Sequence, residues 1–287
     1  MSVLFLLHGF QLKAQLLWEI SGNGLQKSSW IFGTYHLATN QYLKEHPGVF
    51  NRFKKSGILI TEANLFEQNL MNVFMQHCLL PDSIRISDSL SAHELKILDS
   101  LISENPPLFI DDKKPAYIAN IVTTKMLQKQ SSDADSGDSE KLEMALMRQS
   151  VNDGKESLFL ESAEFQIGLL LDSLTLHEQF EMLRGLIRMP EDSLISAKYR
   201  AQLQLPELWE EQNLDAMYAL FRDDIYFREM EDYLVIQRNI KWTKILTDWL
   251  TKGTCFIAVG AMHLPGKSGL IELLRTAGFQ VRPVKYR

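Results

Sequence analysis

Only two of the 287 residues are cysteine, Cys78 and Cys255. Two thiols build no disulfide framework, and without a C-x-x-C pair neither a zinc ribbon nor a thioredoxin-like redox motif is available, so both read as free buried thiols. Basic runs are missing too. The formal charge is −6, and phosphate binding needs concentrated Lys and Arg, which excludes nucleic acid as a partner. No apolar stretch approaches the roughly 20 residues needed to cross a bilayer as a helix, which excludes an integral membrane span. Repeats of solenoid period are absent. At 45% apolar and 23% charged residues, the chain has what it needs to bury a full core without staples.

What stands out is a construction that occurs twice. Ser28-Ser29-Trp30-Ile31-Phe32-Gly33-Thr34-Tyr35-His36 and Thr254-Cys255-Phe256-Ile257-Ala258-Val259-Gly260-Ala261-Met262-His263 are apolar runs that break at a glycine and deliver a histidine three residues later. Such a run predicts a buried strand, and the glycine lets the backbone turn sharply where it stops. Both histidines are then expected just past the carboxyl ends of core strands, the edge where open α/β sheets bind ligands. Ile58-Leu59-Ile60-Thr61 is a third short strand, ending in Glu62. A fourth, Ser157-Leu158-Phe159-Leu160, ends in Glu161, with Glu164 following if a helix starts there. The first three strand ends thus supply two histidines and one carboxylate, Glu62, which suit either a divalent metal or acid/base work.

The rest of the chain frames these strands. Leu16–Ile20 and the first Gly-x-x-His strand predict an antiparallel hairpin, Pro47–Lys55 a short helix, and Gln280–Val284 a last strand. Between about residues 65 and 252, apart from the strand near 157–161, the periodicity is helical, with a capping box at Ser91 and Glu94. Ile225, Leu234, Ile236, Ile240, Ile245 and Leu246 predict the buried face of a long helix over 224–250, and Lys267–Ala277 a final helix. The expected fold is α/β, a mixed central sheet built from both chain ends with a large helical insertion covering one cleft, as a single domain over 16–287. Residues 1–15 resemble the tail of a secretory signal peptide, with an apolar segment ending at Ala14 but no positive start and an interruption at His8-Gly9. This points to a periplasmic or secreted protein, or to a cytoplasmic one if the segment is no signal.

Two motifs fall short. Gly260 to Ser268 lies between a strand and a helix as a P-loop would, but the glycines are one residue too far apart and Pro265 removes an N–H. His177-Glu178-Gln179-Phe180-Glu181 lacks the second histidine of a zinc-protease helix. His8, His46, His77 and His93 lack strand-end context and read as surface or structural. Arg238-Asn239, late in a helix, reads by itself as a solvated or dipole-compensating pair.

A resemblance changes that last reading. Gly33-Thr34-Tyr35-His36, Ile60-Thr61-Glu62-Ala63, Leu160-Glu161-Ser162-Ala163-Glu164-Phe165-Gln166, Arg238-Asn239 and Val259 to Gly266 together resemble the ordered motifs of the TraB/GumN/Tiki family, which is related to erythromycin-esterase-like and ChaN-like proteins. One departure is Gly137-Asp138-Ser139-Glu140, where the family has an apolar residue and then Asp after the glycine. Tiki members of the family are divalent-metal-dependent proteases acting on a secreted signalling protein, and other members are linked to peptide-pheromone inhibition. The resemblance implies that His36, Glu62 and His263 are metal-binding or catalytic, that Arg238 is their partner, and that Glu161, Glu164 and Asn239 support them.

The expected activity is hydrolysis of a peptide or small amide. His36, His263 and Glu62 would hold Mn²⁺, Co²⁺ or Zn²⁺, or Glu62 would be the general base with Arg238 on the oxyanion. The rival expectation is a non-catalytic protein that sequesters a peptide, metal or haem in the same cleft.

Overall fold

The computed structural model describes residues 15–102, 109–128, 140–189, 203–223 and 230–286. Its centre is a six-stranded sheet of spatial order β4-β3-β5-β2-β1-β6, made of β1 (Leu17–Ser21), β2 (Ser29–Thr34), β3 (Ile58–Thr61), β4 (Glu156–Phe159), β5 (Cys255–Gly260) and β6 (Gln280–Pro283). β4, β3, β5 and β2 run parallel side by side, while β1 is antiparallel to both β2 and β6. The sheet is therefore mixed. Both chain ends build it, as the hydrophobic runs require, because a strand covered on both faces is apolar throughout. Ile31, Phe32, Leu59, Ile60, Phe256 and Ile257 are all fully buried in the core around it.

The parallel register sets up the site. Thr61 lies opposite Ala258 of β5 and Phe159 of β4, and Thr34 lies opposite Gly260. Four strands therefore stop at nearly one level. Reading along that edge, the residues just beyond them are Glu161, Glu62, Gly260 with the turn to His263, and His36.

Helices fill the rest. α1 (Gln41–Glu45) and α2 (Pro47–Lys55) return the chain from β2 to β3, with Val49 and Phe53 of α2 fully buried against the sheet. Between β3 and β4 come α3 (Leu70–His77), α4 (Ile86–Ser89), α5 (Ala92–Ile102), α6 (Pro115–Gln128) and α7 (Leu142–Asn152). After β4 follow α8 (Ala163–Leu171), α9 (Leu176–Arg188), α10 (Leu205–Glu210), α11 (Leu214–Asp223), a π-helical turn (Asp232–Ile236) leading into α12 (Gln237–Trp249), and, beyond β5, α13 (Leu270–Thr276). α5, α6 and α9 enclose a second core of Leu98, Ile118, Val122, Leu183 and Leu186. Ser91 and Glu94 make the reciprocal bonds of the capping box. Among the described residues no helix is long and apolar enough to cross a membrane.

Two expectations need correction. Ile240 is 45% exposed; the buried stripe of α12 is Arg238, Asn239, Trp242 and Leu246, because the groups at the sheet edge bond the polar pair and turn it inward. The last helix starts at Leu270 rather than Lys267, since a 3₁₀ turn (Ala261–His263) first carries the chain away from β5. Cys78 and Cys255 are buried and free, and burial pushes both thiols up to about 11. His46 is buried and stacks on Tyr42, and Glu178 completes a capping box with Thr175 rather than facing a metal. The signal-like residues 1–14, His8, Ile225 and the Gly137–Ser139 departure lie outside the described residues.

Candidate functional site

Glu62, Glu161, Arg238 and His263 meet at the carboxyl edge of the sheet. Arg238 is its hub. Its Nε donates to Glu161 Oε2 at 3.2 Å, and its Nη2 donates to Glu161 Oε1 and to Glu62 Oε2 at 2.8 Å. Nη1 donates to the Leu234 carbonyl at 2.8 Å and to His263 Nε2 at 3.2 Å. A guanidinium has five N–H donors, and all five are committed. The cation also lies over the Trp242 ring, 4.5 Å from its centroid. Arg238 therefore has no donor left for an oxyanion in this arrangement; what it does is position its neighbours.

The two carboxylates are not equivalent. Glu161 accepts from Arg238 on both oxygens, from Gln166 Nε2 at 3.0 Å and from Trp242 Nε1 at 3.2 Å. That is saturation for a buried group and suits an anchor. Glu62 accepts from Arg238 and Gln166 on Oε2, but on Oε1, among the described residues, only from the Gly260 N–H at 2.7 Å. Oε1 keeps acceptor capacity and lies 3.8 Å from His263 Nε2. Burial alone would raise the Glu62 pKa, but neighbouring positive charge and the Gly260 N–H outweigh it and hold the group at about 2.

The state of His263 follows from its neighbours. Asn239 donates Nδ2 to the carbonyls of His263 and Ser268 at 3.1 and 2.8 Å, which fixes the amide so that Oδ1 faces His263 Nδ1 at 2.7 Å. Nδ1 must then carry the proton, and Nε2 offers its lone pair to Arg238. The ring is neutral. Burial, against the opposing pull of Glu62, lowers its pKa to about 4. Since His263 is uncharged above that, Arg238 and His36 supply the charge that holds Glu62 ionised at neutral pH.

His36 is different in kind: 72% of its side chain is exposed. Its Nδ1 pairs with Glu143 Oε1 at 3.1 Å, and Thr34 Oγ1 donates to the same oxygen at 2.5 Å. Glu143 pushes the imidazole pKa up to about 9, against desolvation, although water screens part of that attraction at so open a ring. Glu143 went unrecognised in the sequence. It stands in the first turn of α7 with no strand-end signature, and only packing carries it to His36.

Gly260 sits between the two halves. A Cβ built on it would lie 3.3 Å from Glu62 Oε1 and 3.7 Å from both His263 Cδ2 and His36 Nε2. The two histidines are each 3.7 Å from one point, so they share one site, as their strand-end positions led us to expect. Glu161 and Asn239 join them. Glu164 does not: with Ser162 capping α8 through the Phe165 N–H at 3.1 Å, the helix turns Gln166 inward and leaves Glu164 exposed. Among the described residues no three His, Cys, Asp or Glu are grouped to hold a metal ion. His36, His263 and Glu62 do not fit one as arranged, because the lone pair that His263 would give to the ion already accepts from Arg238.

Comparison with known proteins agrees with this set of motifs. The TraB/PrgY/gumN family matches residues 16–283. Two bacterial relatives carry the name "Uncharacterized protein YbaP": that of Shigella flexneri is 24% identical over 258 residues, covering 87% of this chain and 88% of its own, and that of Escherichia coli K12 is 24% identical over 254 residues, covering 85% and 87%. No solved structure matches. With nearly the whole sheet and insertion inside the matched span, the chain belongs to the TraB/PrgY/gumN family.

Proposed function

We propose that the chain is a hydrolase of peptides or small amides, with the reaction centred on the space beside Gly260. The observation that supports it is that this space is bordered by two site atoms that the described residues leave open to a further partner, His36 Nε2, which none of them bonds, and Glu62 Oε1, which accepts one hydrogen bond. Glu143 holds the His36 Nδ1–H; in the fraction of molecules whose Nε2 has lost its own proton, a fraction that grows as pH rises toward about 9, Nε2 accepts a proton from water and later donates it to the leaving amine. Glu62, ionised far below neutrality, is too weak a base for that step; its role is to orient the water. Arg238, Glu161, Gln166 and His263 position Glu62.

A divalent ion would polarise the carbonyl and acidify the water, but only after Arg238 withdrew from His263, so no step above is routed through one. Mn²⁺, Co²⁺ and Zn²⁺ belong in the assay as a separate arm. Export to the periplasm or medium, suggested by residues 1–15, is tested by mass spectrometry of protein from its native host: an intact Met1 in the cytoplasm would reject it. The full commitment of the Arg238 donors favours a second reading, in which the cleft sequesters a peptide without cutting it.

A peptide-library screen with wild type, His36→Ala and Glu143→Gln separates the two. Hydrolysis should vanish in His36→Ala. In Glu143→Gln the pH–rate curve should shift down, since losing the carboxylate returns His36 toward its ordinary 6.5. Cleavage indifferent to both substitutions would defeat the proposal.

A further inference from the structure

The two segments that deliver the carboxylates do not stop at the site. Beyond Glu62 the chain passes Leu65 into α3, and beyond Glu161 it becomes α8; the two helices pack together and enclose a groove of about 480 Å³. α3 contributes Leu70, Met71 and Phe74, α8 contributes Ile167 and Leu170, and Leu65 lines it beside the site. α3 buries none of its own residues. Met71 is 70% exposed and Leu170 60%, a large apolar outlay for a surface that nothing covers among the described residues. The ion pair of Asp172 with His77 ties the carboxyl ends of α8 and α3 together, and Lys114 joins it.

Gln166 joins groove and site. It lines the groove while both its Nε2 protons go to Glu62 Oε2 at 2.8 Å and Glu161 Oε1 at 3.0 Å. Its Oε1 accepts nothing from the described residues, which leaves it to take a backbone N–H. An apolar trough ending in an amide acceptor beside the proposed reaction centre matches an amino-acid side chain with its own peptide group. The volume accommodates a leucine or phenylalanine, and methionine lets the wall adapt to either.

We infer that the α3–α8 groove is a specificity pocket that receives a large apolar side chain of a peptide substrate, next to the amide that is cut. This rests on the hydrolase reading. The test uses quenched-fluorescence peptides of one length that differ at a single position, Leu, Phe, Ala or Asp. They are assayed on the full chain, on Met71→Asp and Leu170→Asp, and on Val151→Asp as an exposed apolar control on α7.

Wild type should cut the Leu and Phe peptides at least about tenfold better than the Asp peptide in kcat/KM. Both groove variants should lose that preference, and the control should keep it. Equal cleavage of all peptides, or an undiminished preference in both groove variants, overturns the inference and leaves the hydrolase reading standing. If no peptide is cut, the hydrolase reading falls. Polarisation of the labelled peptides then decides the groove: tighter binding of Leu than Asp, lost in Met71→Asp, supports it as a peptide pocket, and its absence overturns it.

Discussion

Arg238 Nη1 lies 3.2 Å from His263 Nε2, and this contact makes the second Gly-x-x-His histidine an acceptor for a guanidinium rather than an open catalytic base. The two histidines, alike in sequence, are thereby divided in role. His263 is buried, neutral and bonded at both nitrogens, whereas His36 faces water with one nitrogen open.

Arg238→Lys keeps the charge and discards the fork. One ammonium cannot reach Glu161, Glu62, His263 and the Leu234 carbonyl together, so buried acceptors go unpaired. A loss of about 1–3 kcal/mol in stability is expected, with hydrolysis falling on the order of a hundredfold as Glu62 loses its position. Thermal melts and rates measured side by side check this. Wild-type stability would show that the buried network contributes nothing.

Asn239→Asp places a carboxylate against His263 Nδ1–H. An adjacent negative charge favours the imidazolium, so the His263 pKa should climb from about 4. The lost amide bonds to the His263 and Ser268 carbonyls should also lower the melting temperature. An NMR titration of the imidazole reads the first effect; an unmoved pKa would refute the tautomer assigned here.

Acid should loosen the cluster in two stages. Folded His263 takes its proton only near pH 4, while the unfolded chain takes it near 6.5. Between those values the unfolded state binds more protons, so stability falls as pH drops through that window. Glu62, held at about 2 against an ordinary 4.5, adds a second loss of the same sign from about 4.5 downward. Each should amount to a few kcal/mol, on the order of the linkage expected for buried groups. Urea midpoints at pH 7.5, 5.5 and 4 test it, and His263→Gln should flatten the upper stage.

The two glycines of the repeated motif should respond in opposite ways. A Cβ on Gly33 would meet Leu264 Cδ1 at 2.9 Å and the Ala261 Cα at 3.0 Å, so Gly33→Ala forces β2 and the turn after β5 apart and should cost about 1–3 kcal/mol. Gly260 has φ −51°, open to any residue, and its nearest neighbour would be 3.3 Å away. Gly260→Ala should fold with a change of about 1 kcal/mol or less yet lose tenfold or more in activity, because its methyl takes the space between Glu62 and His36. Melting curves and peptide hydrolysis of both variants decide it. An active Gly260→Ala protein would move the reaction elsewhere.

The strands, their glycine stops and the polar residues beyond them were legible in the chain alone, because a hydrophobic run and its break are local patterns that burial imposes on sequence. Convergence of His36, Glu62 and His263 followed from them, because each ends a strand of one sheet; Glu161 was legible as a strand-end carboxylate, and its support of the site only through resemblance. Arg238 and Asn239 were legible only through resemblance, since a polar pair in a helix has no periodic mark of its burial. Tertiary structure alone decided the rest. Glu143 reaches His36 across 107 residues, Gln166 bridges two carboxylates from different strands, and α12 turns Ile240 to water so that Arg238 can meet its acceptors. Each is a matter of hydrogen-bond distance between segments far apart in the chain, and such distances exist only after the sheet has brought its strand ends to one level.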